Sequence, residues 1–171
     1  MNDLIPGLRA GDPEAYDRLV GEFGDRLRRF AARMAGPEVA DDIVQETFLR
    51  VFRSIRSFDP TGSLASWIFA IANNLCVDHL RKRPPEGRQH RAAPEPSTVA
   101  EGKEARESLR RAIAALPDSQ KRVFLLREEA GLTFREIAEL LGCPLNTALG
   151  RMHTALASLR KALSVRVERQ P

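Results

Sequence analysis

Cysteine is scarce. Cys76 and Cys143 are the only two in 171 residues, and they lie far apart in a chain whose opening, MNDLIPGLRAGDPEAY, has neither a basic start nor an apolar signal core. The expectation is a cytoplasmic protein with reduced thiols. Long hydrophobic runs are lacking too. The apolar stretches are broken by charge or amide well short of the roughly 18 residues that suggest a membrane span, so no membrane insertion is expected. Phosphate-binding loops are missing: neither Gly-x-Gly-x-x-Gly nor the phosphate-loop pattern occurs. The one Gly-Lys pair, Gly102-Lys103, is followed by Glu104 where a magnesium-binding Ser or Thr is needed. The paired acids Asp41-Asp42 and Glu128-Glu129 are adjacent and diverge on a helix, and no Ser-His-acid grouping is suggested. Cys76-x-x-His79 is half of a zinc site, with Cys143 and His153 as an imaginable remainder. Nothing fixes the halves together, and a lone Cys on an apolar helix is usually core. No catalytic residue, metal or cofactor is therefore expected.

What is present suits two small helical domains. Hydrophobic residues make up 43% and charged residues 29%, enough to bury cores. Lys plus Arg number 27 against 23 for Asp plus Glu, a net charge of +4, which permits a polyanionic partner without demonstrating one.

Asp12-Pro13 is a helix start, because the Asp side chain can cap free amides and Pro13 gives up an N–H that has no partner anyway. Tyr16, Leu19, Val20, Phe23, Leu27, Phe30 and Met34 follow at helical spacing until Gly36-Pro37. A second helix carries Val39, Ile43, Phe48, Val51, Phe52 and Ile55 inward. A turn cluster, Phe58-Asp59-Pro60-Thr61-Gly62-Ser63, precedes a third, in which Leu64, Ile68, Ile71 and Leu75 repeat until Pro84-Pro85. Residues 84–100 hold four prolines and little that forms a core, so an extended, mobile connector is expected there, with separate cores on either side. Eight of the ten aromatics precede it, so the second core should rely on Leu and Ala.

Beyond the connector, helical spacing returns through Leu109, Ile113 and Leu116, and another helix runs from Pro117-Asp118 to Gly131. Thr133-Phe134-Arg135-Glu136 has the spacing of a capping box. It opens a short helix that ends at Gly142. After the turn Cys143-Pro144-Leu145, Asn146 or Thr147 caps a last helix with Ala148, Met152, Ala155, Leu159 and Leu163 buried. Short helix, tight turn and longer helix make a helix-turn-helix, which sets its second helix in the DNA major groove.

The segments DDIVQETFLRVF (41–52), FDPTGSLASWIFAIANNLCVDHLRKR (58–83) and ALPDSQKRVFLLREEAGLTFREIAELLG (115–142), in that order, resemble the extracytoplasmic-function (ECF) sigma factors of the sigma-70 family. The string Trp-x-x-x-Ile-Ala-x-Asn-x-x-x-Asp-x-x-Arg, met by Trp67, Ile71, Ala72, Asn74, Asp78 and Arg81, is its most specific part. The resemblance implies an all-α protein: a sigma region 2-like three- or four-helix bundle in residues 1–84, a flexible linker in 85–104, and a sigma region 4-like helix-turn-helix domain in 105–171. It implies a sigma factor directing promoter-specific initiation in bacteria, with core RNA polymerase (the beta-prime clamp and the beta flap), promoter DNA and an anti-sigma factor as partners. Asp42, Gln45, Glu46, Leu49 and Arg50 would then contact polymerase. Phe58, Trp67, Asn74, Arg81, Lys82 and Arg83 would serve the minus-ten element, with Phe58 an apolar wall and Asn74 a hydrogen-bonding amide around one flipped base. Arg88 and Arg91 extend that basic segment.

The recognition helix departs from the family's usual Thr-Val-Lys-Ser-Arg-Leu-His-Arg-Ala-Arg. Three basic positions have become Leu149, Thr154 and Leu156, leaving Thr147, Leu149, Gly150, Arg151 and His153 as the minus-thirty-five candidates. Each lost phosphate contact should weaken binding and flatten its salt dependence by about one unit of slope. The alternative is a sigma-like regulator or protein-binding module with impaired minus-thirty-five readout. Positive charge has moved on to Arg160, Lys161, Arg166 and Arg169.

Overall fold

The computed structural model describes residues 2–82 and 100–167. Eight α-helices are present there and no strand: α1 (Ile5–Ala10), α2 (Pro13–Met34), α3 (Pro37–Ser54) and α4 (Leu64–Lys82), then α5 (Ala100–Ala114), α6 (Asp118–Glu128), α7 (Phe134–Leu141) and α8 (Leu145–Val167). The central residues expected to form the connector, with Arg83, Arg88 and Arg91, lie outside the described residues, as do Arg169 and the side chain of Arg166.

The first four helices form the larger bundle. Asp12 caps α2 by accepting a hydrogen bond from the Glu14 amide at 3.0 Å. The stripe Leu19, Phe23, Leu27, Phe30 and Met34 is wholly buried against α3 and α4. Phe30 meets the Phe69 ring edge-on, with centroids 5.5 Å apart. Val20, expected inside, is 43% exposed, because the stripe beside it already fills the interface. Leu109 is likewise on the outside, at 39%.

Periodicity misses α1, whose six residues are too few to display it. Leu4, Ile5 and Leu8 are nonetheless buried, and the Tyr16 hydroxyl donates to the Leu8 carbonyl at 2.9 Å. From α1, Arg9 reaches across to donate to the carbonyls of Ile55 and Phe58, bracing the turn ahead of α4.

In the second half, α5, α6 and α7 all pack on α8. Thr133 and Glu136 close the capping box, with the Thr133 amide donating to the Glu136 carboxylate at 2.7 Å and the Glu136 amide donating to Thr133 Oγ1 at 3.3 Å. Gly142 ends α7 at φ 61°, a left-handed conformation open to glycine at little cost. The next helix starts at Leu145, one residue before the expected cap, and the Thr147 and Ala148 amides donate to the Pro144 carbonyl. Asn146 and Thr147 thus stand within its first turn.

The expectation of separate cores is corrected. Buried residues of both halves join in one hydrophobic cluster, because α2 packs against α5 and α6 while α4 packs against α7. The sequence signalled two amphipathic blocks, but each keeps a polar face whose partner is on the other.

Candidate nucleic-acid interface

On α4, Trp67, Ile71, Asn74, Asp78 and Arg81 fall at steps of three and four, so they form one stripe along the helix. Ser63 opens the helix, its Oγ accepting from the Ser66 amide at 3.2 Å. The preceding turn is rigid in its bonding. Asp59 Oδ1 accepts from both the amide (2.9 Å) and the hydroxyl (2.8 Å) of Thr61, and these bonds, the backbone one foremost, hold the Asp59 carboxyl below its ordinary pKa.

Phe58 is not a free wall. Its residue is 7% exposed, and its ring lies on Trp67 with centroids 4.8 Å apart and planes tilted by 35°. A loop ring that can leave water against an indole does so, since the apolar area gained favours it. Asn74 is exposed, two helical turns beyond Trp67, or about 10 Å along the axis. Phe58 is thus covered by the indole, and Asn74 lies further along the same helix as Trp67. What faces outward is the partly buried Trp67 with Phe58 behind it, then the Asn74 amide, then Arg81 and Lys82, exposed at the helix end. Arg81 pairs with Asp78 at 3.1 Å.

The expected polymerase-contact residues share one face of α3. Asp42, Gln45, Leu49 and Arg50 are exposed, and Glu46, half-buried, accepts from Arg50 Nε at 2.7 Å. Leu49, 39% exposed, is an apolar spot within this charged face, and Arg28 of α2 pairs with Asp41 beside it at 3.1 Å.

On α8, Leu149, Gly150 and His153 stand together on the outer face, while Thr147 and Arg151 flank it half-buried. Asn146, read from sequence only as a cap, joins that outer face in the first turn. Its amide matches the paired donor and acceptor of adenine's major-groove edge, and the start of the helix after Pro144 is the signal that frees it. Leu145, Leu149 and Leu156, each 37–42% exposed, form an apolar ridge beside the buried stripe.

Glu136 links the two halves: its carboxylate hydrogen-bonds Ser63 at the start of α4. Partial burial alone raises its pKa, but the bonds from Thr133 and Ser63 together outweigh burial and leave the carboxyl below its ordinary value. It is ionised at neutral pH, and these contacts weaken only as pH falls through the lowered pKa.

Cys76 and Cys143 are both free. Burial pushes the Cys76 thiol up to about 12, whereas Cys143 is partly exposed in the helix-turn-helix turn. Among the described residues, no three His, Cys, Asp or Glu side chains converge as a metal site would require. Thiolate being the reactive form, a chromogenic disulfide reagent at pH 8 should titrate Cys143 in the native protein and Cys76 only after denaturant is added. Rapid native reaction of both would contradict the burial of Cys76.

No described helix is long and apolar enough to cross a membrane. Residues 19–84 match the family model for Sigma-70 region 2, and residues 106–159 that for Sigma-70, region 4. The chain is similar to the ECF RNA polymerase sigma factor SigW of Bacillus subtilis, 31% identical over 178 aligned positions that cover 93% of this chain and 94% of SigW. It is 32% identical over 160 positions to SigE of Mycolicibacterium smegmatis, covering 88% of this chain but only 62% of that relative's length. Among solved structures, CnrH in complex with the cytosolic domain of CnrY is similar at a TM-score of 0.74 and 25% identity, over 96% of this chain and 97% of that one. The sigma factor RpoE from Bartonella quintana, solved with the anti-sigma factor NepR, shares the fold at a TM-score of 0.75 and 23% identity, over 88% and 97% of the two chains.

Proposed function

The chain belongs to the extracytoplasmic-function sigma factors of the sigma-70 family, and from that membership we propose how its two domains divide the work of initiation. The protein directs promoter-specific transcription initiation, and the chemistry of RNA synthesis stays with polymerase. Residues 1–84 engage the polymerase clamp and the minus-ten element, residues 85–104 connect, and residues 105–171 engage the flap and the minus-thirty-five element. The clamp contact is the α3 face of Asp42, Gln45, Glu46, Leu49 and Arg50, where mixed charge surrounds one exposed leucine.

The observation that carries this reading is the single stripe from Trp67 to Arg81 on α4, behind a turn braced by Arg9 and Asp59. Opening a duplex costs a few kcal/mol per unstacked step, and base stacking on an aromatic ring returns about 1–3 kcal/mol. Trp67 offers that ring, with Phe58 as a positioning residue that holds it. Asn74 both donates and accepts, so it can bond the Watson–Crick edge of an extruded base. Arg81, Lys82 and Arg83 track phosphates of the entering strand.

A second reading concerns α8 alone. The ridge of Leu145, Leu149 and Leu156 favours apolar contact, with thymine methyls or with protein, over the phosphate grip usual for the family. Minus-thirty-five readout would then be weak and only slightly salt-dependent. The chain acts in the cytoplasm, where its template is, and an inhibitor that occludes both domains is supported by the CnrH structure having been solved with a partner's cytosolic domain.

Run-off transcription tests the assignment. Purified core enzyme with a library of genomic promoters should initiate at discrete sites only when this chain is added. Silence across the library would favour the sigma-like regulator that does not initiate.

A further inference from the structure

We infer that Arg9, on the short helix α1, is a positioning residue for promoter opening. It fixes the turn between Ile55 and Gly62 and, through Phe58, the Trp67 indole proposed to stack an extruded base. Arg9 is half-buried and reaches the turn with two donors, Nε to the Ile55 carbonyl at 3.5 Å and Nη2 to the Phe58 carbonyl. One guanidinium thus ties the 3-10 turn Ile55–Ser57 to the residue that leaves it. The planar fork of arginine suits two acceptors held apart, whereas a single ammonium does not. The region 2 match begins at residue 19, so α1 and Arg9 lie ahead of it. The opening role rests on the promoter contact proposed for α4; the brace itself does not.

A brace needs a fixed base, and α1 has one. Leu4, Ile5 and Leu8 are only 1–3% exposed, and α1 packs directly on the Ile55–Ser57 turn as well as on α2. The Leu8 carbonyl accepts from the Tyr16 hydroxyl at 2.9 Å, while the Tyr16 ring stands edge-on to Phe52 with centroids 4.4 Å apart. Gly7 lets α1 approach α2 this closely. A Cβ there would stand 2.8 Å from Ala15 Cβ, well inside the distance at which two carbons pack.

At its far end the turn closes on itself. The Gly62 amide donates to the Asp59 carbonyl at 3.0 Å, and a Cβ on Gly62 would come within 3.3 Å of that oxygen and 3.8 Å of the Phe58 ring. The Arg9 charge acts here too. Behind the bonds from the Thr61 amide and hydroxyl, it helps hold the Asp59 carboxyl below its ordinary pKa. Phe58 stands between the two ends, its carbonyl on Arg9 and its ring on Trp67 with centroids 4.8 Å apart. Contact is therefore continuous from α1 to the indole. A base gains most from stacking on a ring already in place, because ordering the turn on its arrival would subtract from the free energy of capture.

Trp67 is the chain's one tryptophan, so its fluorescence reads the brace without any promoter. Arg9→Gln should raise acrylamide quenching of the indole in the full-length free chain. With core enzyme, the same variant should slow open-complex formation on a duplex promoter by about tenfold, the effect of one charge-assisted hydrogen bond. Arg9→Lys keeps the charge and loses the fork, so it should behave like Arg9→Gln; a wild-type rate would show that charge alone matters and overturn the brace. On a template already unpaired by mismatches across the minus-ten segment, both variants should initiate within about twofold of the wild type, since no unstacking remains to be offset. Equal losses on both templates would mark a general folding defect and overturn the positioning role. Gly7→Ala, which displaces α1 with Arg9 intact, should repeat this pattern and serves if Arg9→Gln does not fold. Unchanged quenching in every variant would overturn the brace, and increased quenching with normal duplex opening would overturn its part in opening. Failure of the α4 assignment looks different: Asn74→Ala would then open the duplex normally.

Discussion

Phe30→Ala should destabilise the protein by about 3–5 kcal/mol, the range for truncating a fully enclosed ring where neighbours collapse only in part. Phe30 has no exposed surface, and its ring is edge-on to Phe69, which in turn underlies Arg26. Roughly 2–4 °C of melting temperature is lost per kcal/mol in chains of 150–250 residues, so the midpoint should drop by about 6–20 °C in a thermal circular-dichroism scan. The damage should also spread across the domain boundary. With Phe69 less firmly held, Arg26, which donates to the Glu129 and Ala130 carbonyls at the end of α6, loses part of its platform. A loss below about 1 kcal/mol would mean that the ring is not enclosed as described.

Enclosure of this kind is what the sequence announces best. Leu19, Phe23, Leu27, Phe30 and Met34 repeat because one face of α2 must leave water, and any helix that buries one face declares itself the same way. The capping box of Thr133 and Glu136 was legible for a similar reason: two residues three apart satisfy each other's backbone. The string from Trp67 to Arg81 located the candidate site, and helical geometry alone turned it into a stripe.

Three features were not legible, two because the partner is remote in sequence and one because burial inside a polar turn leaves no periodic trace. Arg26, Arg29 and Arg33 look like a solvated polar face of α2 until Glu129, some hundred residues away, is brought against them. Glu129 itself looked like half of an adjacent acidic pair, and nothing local marks it as the buried one. The family resemblance casts Phe58, in a turn rich in polar residues, as an apolar wall around a base, whereas its ring lies on the Trp67 indole. Periodicity reports which residues leave water within an element; it carries no information on which polar side chains meet between elements.

Asn74→Ala separates recognition from folding more cleanly than any other change on α4. The residue is exposed, so stability should change by no more than about 0.5 kcal/mol. In the proposed role its amide makes two bonds to an extruded base, each worth about 0.5–1.5 kcal/mol, so open-complex formation should fall by roughly five- to 150-fold. Polymerase binding is assigned to α3 in the proposed function, so it should be unchanged in a pull-down with core enzyme. Trp67→Ala provides the contrast. Losing the ring that covers Phe58 should cost about 3 kcal/mol in stability as well as opening, since the indole both packs and stacks. Permanganate footprinting of unpaired thymines reads opening directly, and thermal melting reads folding. Equal losses of opening and core binding for Asn74→Ala would remove the amide from base capture. Normal opening with a destabilised Trp67→Ala would leave the indole as packing alone, and the base would have to be held elsewhere on the helix.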